Sequence, residues 1–387
     1  VTDGLTQGQD DKTTALAVPP HAEPDTRTDG TPTVLLLGAG ELGRELAVAL
    51  RHLGARVIAA EDERIPLTDG GELSKAIQRA KPDFLVTATE EVAVPALEAL
   101  EGTQLVPNAR TVRLTSDREA LRRMAADELG LPTAPFWFVG SVGELRAVAA
   151  HAGYPLLVKP LSGRGHSVVS GPDDIEPAWQ RAHGSSTGRV LAETVVEVDF
   201  DVTLLVARTE GPNGPLIEFC SPIGHRDVDG AVLESWQPQQ MGEAAVDAAK
   251  SIAARIVKAL GGRGLFGVEL MIKGDEVYFV DVTARPHPSV WVTLRSQRLS
   301  AFELQARAIL NLPVDTMMMS PAAAHAINPG PGGGPSATDG LTRALRVPES
   351  DLRVFAQVAL ATAPDVATAR DRARQAADAL NMRDSRG

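Results

Sequence analysis

The chain has 387 residues, 43% hydrophobic and 23% charged, with a formal net charge of -12. That length suits two or three domains. The surplus of acids excludes a nucleic-acid partner, which needs clustered Lys and Arg, but leaves room for a small anionic ligand at a locally positive site. One cysteine, Cys220, excludes an intrachain disulfide and a Cys-rich zinc site. No apolar run approaches the roughly 20 residues of a membrane helix, the first residues lack the apolar core of a signal peptide, and a cytoplasmic setting is expected.

In chain order, residues 1–32 are polar and rich in Pro, Gly, Asp and Thr, and read as a disordered arm. TVLLLGAG, ELGRELAVALRHLG and RVIAA then spell strand, helix, strand, the start of a parallel βαβ unit that FLVTAT continues. This Rossmann-like domain is expected over 33–115. A helix capped near Ser116-Asp117 follows. YPLLVKP, SGRGHS and VVSG read as a hairpin with a glycine loop. RVLAETVV and FDVTLLVAR are further strands, and EAAVDAAKSIAARIVKALG is a helix. The second domain, with two lobes, is expected over 116–315. A Gly/Pro tract, NPGPGGGPSATDG, and the helix VATARDRARQAADAL belong to a small β-rich lobe over 316–387. The fold class is α/β and α+β.

Three pieces carry chemistry. Gly38-Ala39-Gly40-Glu41-Leu42-Gly43 is a GxGxxG between strand and helix, and Glu61-Asp62 follows the next strand. The pattern fits a dinucleotide site, or a turn packed tightly for steric reasons. Lys159 on its strand, with Ser162, Gly163, Arg164, Gly165 and His166 after it, offers a point charge and a mobile loop for phosphates. In GVELMIKGDEVYFVDVTARPH, Glu269 and Asp281 share a face of a hairpin if its loop has an odd number of residues, such as Gly274-Asp275-Glu276. Two facing carboxylates repel unless a cation lies between them, and Mg²⁺ with nucleotide phosphates is the natural one. Arg285 and His287 extend toward the same cleft.

In this order the pieces resemble the ATP-grasp superfamily. GAGELGRE, LVPNARTVRLTSDREALRR, GYPLLVKP, IGHRDVDG, ESWQPQQM, ALGGRGLFGVEL and ARPH together resemble the formate-dependent phosphoribosylglycinamide formyltransferases, from about Val34 to the last helix. The resemblance implies ATP and Mg²⁺ as cofactors and a homodimer. It implies that Arg118 and Lys159 meet the ATP phosphates. Ser162 to His166 form the lid, and Glu193, Thr194, Val195 and Val196 meet adenine. Asp201 meets the ribose, Glu269 and Asp281 hold magnesium, and Lys159, Arg285 and His287 serve catalysis. Glu41 and Leu42 are kept from the family's amine-binding half.

The rest of that half departs from the family. Its acidic positions fall on Ala88 and Pro288, and its phosphate-gripping basic positions on Val347, Val354 and Phe355. Each lost charge-assisted hydrogen bond costs about 1.5–3 kcal/mol. Trp291 reads either as part of a reshaped apolar pocket or as a core residue. The expectation is therefore an ATP-grasp enzyme that forms an acyl phosphate, from formate by resemblance, and passes the acyl group to an amine other than glycinamide ribonucleotide. The rivals are the purine enzyme itself, an NAD(P)-dependent oxidoreductase built on GxGxxG, and a non-catalytic nucleotide-binding regulator. No nucleic acid or membrane partner is expected.

Overall fold

The first sheet is built on a run of side chains that have no polar alternative. Val34, Leu35, Leu36 and Leu37 are all fully buried, as a central parallel strand requires. The computed structural model describes residues 30–38, 40–161, 166–184, 188–228, 231–327 and 338–381, so the expected arm, apart from Gly30 to Pro32, lies outside the described residues. The described residues from Pro32 onward belong to one unit.

Strands β1 (Thr33–Leu37), β2 (Arg56–Ala59), β3 (Phe84–Thr87) and β4 (Gln104–Val106) form a parallel sheet in the order β2-β1-β3-β4. Helices α1 (Glu41–His52), α2 (Gly70–Ala80), α3 (Val94–Glu98) and α4 (Ala109–Ser116) accompany it. Asp69 caps α2 and Asn108 caps α4 through their side chains. Leu46 and Leu50 of α1 share a buried cluster with Phe302 and Ile309, which docks the sheet on the rest of the molecule.

Asp117 caps α5 (Arg118–Arg123), as its sequence signal implied. A π-helical turn, Met124–Glu128, prolongs it. A small antiparallel sheet follows, with order β5-β8-β6-β7. Its strands are β5 (Phe136–Val139), β6 (Leu156–Pro160), β7 (Ser167–Val169) and β8 (Val190–Thr194), backed by α6 (Val142–Ala152) and α7 (Ile175–His183). Leu156 and Val158 of β6 are buried in the helix-side core. Leu157 and Lys159 point to the other face.

A nine-stranded sheet holds the remainder, in the order β14-β13-β9-β11-β12-β15-β17-β16 with β10 on β9. It comprises β9 (Phe200–Gly211), β10 (Gly214–Phe219), β11 (Ile223–Val228), β12 (Ala231–Gln237), β13 (Gly264–Lys273) and β14 (Glu276–Thr283), then β15 (Ala322–Ala326), β16 (Ser350–Arg353) and β17 (Val358–Thr362). The C-terminal strands therefore extend the same sheet, because β15 pairs with β12. Helix α8 (Glu243–Leu260) lays Ala245, Ala249, Ile252 and Ile256 on the core under β9 and β13. The others are α9 (Thr293–Ser296), α10 (Ala301–Ile309), α11 (Thr338–Ala344) and α12 (Val366–Asn381).

The β13–β14 hairpin corrects one expectation. Its loop is even, Gly274-Asp275, since Lys273 pairs with Glu276. That register alone would put Val280 opposite Glu269. A bulge beyond Leu270–Phe279 makes Val280 the extra residue, and Asp281 comes to stand opposite Glu269 after all.

Candidate active site

Lys159 and Glu193 lie diagonally on one face of the small sheet, since Lys159 pairs with Leu191 and Leu157 with Glu193. Their side chains meet at 2.5 Å, Nζ to Oε2. The other carboxylate oxygen is 2.5 Å from Arg122 Nη2. Glu193 is 4% exposed and Arg122 4%. Burial alone would raise the Glu193 pKa; the Lys159 and Arg122 charges outweigh it and hold the carboxyl below its usual range. Arg118, one helical turn before Arg122, donates to the Pro160 carbonyl at the end of the lysine strand. The carboxylate expected to meet adenine is thus held by two cations, while the Thr194 and Val195 N–H groups at the same strand end donate to the Pro135 and Pro155 carbonyls. Of the expected lid, Ser162 to Gly165 lie outside the described residues, and His166 is exposed.

Below this face lies the hairpin. Burial and the facing Asp281 carboxylate push Glu269 up to about 7. The His287 imidazole stands 3.6 Å from Glu269. On the neighbouring strands Asp201 pairs with His225, and Thr203 with Glu269. Burial raises the Asp201 pKa above the ordinary carboxylate range. The Lys159 charge acts on Asp201 and on Glu269, so the lysine face and the hairpin face look into one cleft. Two residues of IGHRDVDG join them without having been singled out from the sequence. His225 Nδ1 meets Asp227 at 3.0 Å. The ring lies 6.4 Å from that of His287, and its buried Nε2 has no hydrogen-bond partner among the described residues. Burial opposes protonation of His225, but the Asp227 contact prevails and raises its pKa.

The parallel sheet meets the hairpin end through the loop at the carboxyl end of β3. Ligands of open α/β sheets sit beyond the carboxyl ends of the strands. Here the loop after β3 sends Glu90 to an ion pair with Arg285, which follows β14. The first and third glycines of GxGxxG have steric work. Gly38 has φ +99°, and a Cβ on Gly43 would lie 2.1 Å from the Gly38 carbonyl oxygen. Gly40 has open space. Glu41 is exposed at the start of α1, and Leu42 packs partly into the core. Glu61 and Asp62 are exposed after β2.

Around Glu41 and Leu42, Arg353 pairs with Glu45 at 2.7 Å and with Asp351 at 2.8 Å, and Arg295 also pairs with Asp351. Val354 and Phe355, just after β16, are 38% and 43% exposed. Trp291 is 3% exposed and packs on Phe302 at 5.2 Å and on Phe355 at 6.3 Å, so it is a core residue and not a pocket wall. Pro288 occupies the first position of a 3₁₀ turn, Pro288–Val292, where its fixed φ and missing N–H cost nothing. The turn therefore accommodates this proline without strain.

Residues 124–302 match the model of the ATP-grasp domain. The chain is 43% identical to the formate-dependent phosphoribosylglycinamide formyltransferase of Mycolicibacterium gilvum, over 92% of this chain and 99% of that one. It is 44% identical to the enzyme of the same name from Rhodococcus jostii, over 90% and 95%. Among solved structures, glycinamide-RNase-transformylase T from Mycobacterium tuberculosis superposes with a TM-score of 0.79 at 61% identity, covering 90% of this chain and all of that one. A carboxyaminoimidazole ribonucleotide synthase from Aspergillus clavatus, 21% identical, shares the fold with a TM-score of 0.80, over 91% and 98%. The dinucleotide reading of GxGxxG finds no relative among these proteins. The chain belongs to the family of formate-dependent phosphoribosylglycinamide formyltransferases, ATP-dependent enzymes built on the ATP-grasp fold.

Proposed function

We propose that the chain phosphorylates formate with ATP and passes the formyl group to the amine of glycinamide ribonucleotide. Of the two acceptors weighed from the sequence, the names of the relatives favour this one. The observation that carries the chemistry is the pair Glu269–Asp281, two carboxylates facing each other on a hairpin under the Lys159 charge. Hard carboxylate oxygens in mutual repulsion suit Mg²⁺ bound together with nucleotide phosphates. Bound there, the ion would neutralise charge on the transferring phosphoryl group.

The chain's own residues do the rest. Lys159 exchanges Glu193 for a phosphate oxygen, and Arg118 keeps the end of its strand in place. Arg285, oriented by Glu90, faces the transferring group from the hairpin side. A formate oxygen attacks the γ-phosphorus and ADP leaves, giving formyl phosphate. The amine nitrogen attacks the formyl carbon, the carbon–oxygen bond to phosphate breaks, the nitrogen loses a proton, and the products are a formamide (the N-formylated amine) and phosphate.

A second acceptor reading rests on one observation. Arg353 and Arg295 near Glu41 and Leu42 are already paired with acids, and Val354 and Phe355 present apolar surface beside them. An amine without a phosphate fits such a wall better than a phosphate dianion. The test is ADP release with ATP, Mg²⁺ and formate, with glycinamide ribonucleotide or its unphosphorylated riboside as acceptor and mass analysis of the product. Formylated ribonucleotide supports the first reading. Turnover with the riboside alone replaces it with the second. ADP release with neither acceptor and without formate contradicts both.

A further inference from the structure

We propose that Arg122 is a positioning residue that couples the phosphate lysine to the metal hairpin. The inference rests on the reading of Glu269 and Asp281 as magnesium ligands. One nitrogen, Nη2, makes both contacts: it lies 2.5 Å from Glu193 Oε1 and donates to the Val280 carbonyl at 2.9 Å. A guanidinium Nη carries two hydrogens, so both bonds are satisfied from one atom.

Each contact lands on a part of the site. Glu193 holds Lys159 with its other oxygen. Val280 is the extra residue of the bulge that puts Asp281 opposite Glu269. A bulge residue leaves the ladder, and its backbone groups need partners from elsewhere. The outer edge of β14 is fixed from two sides, by Arg122 on the Val280 carbonyl and by the Pro132 carbonyl, which accepts from Phe279 N–H at 2.7 Å. The guanidinium carbon lies 5.5 Å from the centre of the Phe136 ring, and Phe136 pairs with Glu193 across β5 and β8. The ring sets the plane of the fork, which a lysine at the same place cannot reproduce. Arg122 thus sets the distance between the lobe that grips phosphate and the carboxylate that meets the metal.

The experiment is calorimetric titration of the full chain with a non-hydrolysable ATP analogue, in Mg²⁺ and in EDTA, with thermal melts as a check on folding. In the wild type, Mg²⁺ tightens binding. Arg122→Lys keeps a charge for Glu193, but its shorter side chain lacks the planar fork held on Phe136 and does not reach the Val280 carbonyl as well; it should cut the tightening by Mg²⁺ about tenfold, the scale of lost outer-shell contacts to a metal site, while affinity in EDTA barely moves. Glu193→Gln keeps an acceptor for Arg122 and frees Lys159; it should weaken binding by the same factor in both buffers and preserve the tightening. A folded R122K that keeps the wild-type tightening overturns the proposal. So does an E193Q that loses it, and E193Q decides alone if R122K does not fold. A wild type that gains nothing from Mg²⁺ sinks the magnesium reading itself, and the inference with it.

Discussion

Glu269 on β13 stands directly opposite Asp281 on β14, and the pairing exists because Val280 is one residue too many in the second strand. Two half-buried carboxylates in that relation oppose each other, and the Glu269 pKa is raised first by burial and then by the facing Asp281. Glu269→Gln removes the repulsion and, on the proposed function, one magnesium ligand together. In metal-free buffer the variant should melt at or above the wild-type temperature. Its ADP formation should fall at least about a hundredfold, the scale of losing a positioned charge-stabilising group. A variant that melts lower and turns over normally would mean that the pair is structural.

Glu193 makes acid stability legible. Its folded pKa lies below the unfolded value of 4.5, because the Lys159 and Arg122 charges overcome the burial that would raise it. The stabilisation it gives is complete above pH 4.5 and is lost as pH falls through the depressed value. Glu193→Gln should therefore cost on the order of 2 kcal/mol at neutral pH, and the gap to wild type should close in acid. Denaturant melts at pH 7 and pH 3 measure it; a gap that stays constant would show that the charge carries none of it.

The glycines of the first loop separate steric from permissive positions. A methyl on Gly43 would meet the Gly38 backbone oxygen, whereas Gly40 faces open space. Gly43→Ala should lower stability by about 1–3 kcal/mol or more, as forced overpacking does. Gly40→Ala, at the N-cap of α1, should cost about 1 kcal/mol or less. Equal melting temperatures for the two variants would contradict this account of the loop.

Cys220 is 2% exposed, and burial pushes its thiol up to about 12. An aromatic disulfide reagent at pH 8 should label none of it in the native chain and one thiol per chain in denaturant. Rapid native labelling would show that the β10–β11 connection opens in solution.

The parts of the site written in local pattern were legible in the sequence. The lysine strand, the glycine turn, the Asp117 cap and the two acids all follow from period and residue type. The bulge was not legible. VYFVDVT contains nothing but strand formers around Asp281, and no Gly or Pro marks Val280. The expectation of an odd loop reached the right pairing by the wrong route. Arg122 has no local signal of its role, because its partners, Glu193 and Val280, are brought to it only by tertiary packing; its i+4 spacing from Arg118 shows only that the two share a helical face. The Glu90–Arg285 pair spans 195 positions and has no local signal at all. Trp291 had two readings, and only its burial against Phe302 chose between them.

The central claim is that formate is activated by phosphorylation in the cleft between Lys159 and the Glu269–Asp281 hairpin. The most direct measurement follows the oxygen atoms. The chain is supplied with ATP, Mg²⁺, an amine acceptor that it formylates and formate carrying ¹⁸O in both positions, and the released phosphate is examined by mass spectrometry. Attack of formate on the γ-phosphorus leaves one formate oxygen bridging to phosphorus, and cleavage by the amine carries that oxygen away, so each phosphate formed should hold one ¹⁸O. Phosphate free of label, released while formylated product accumulates, would contradict the account.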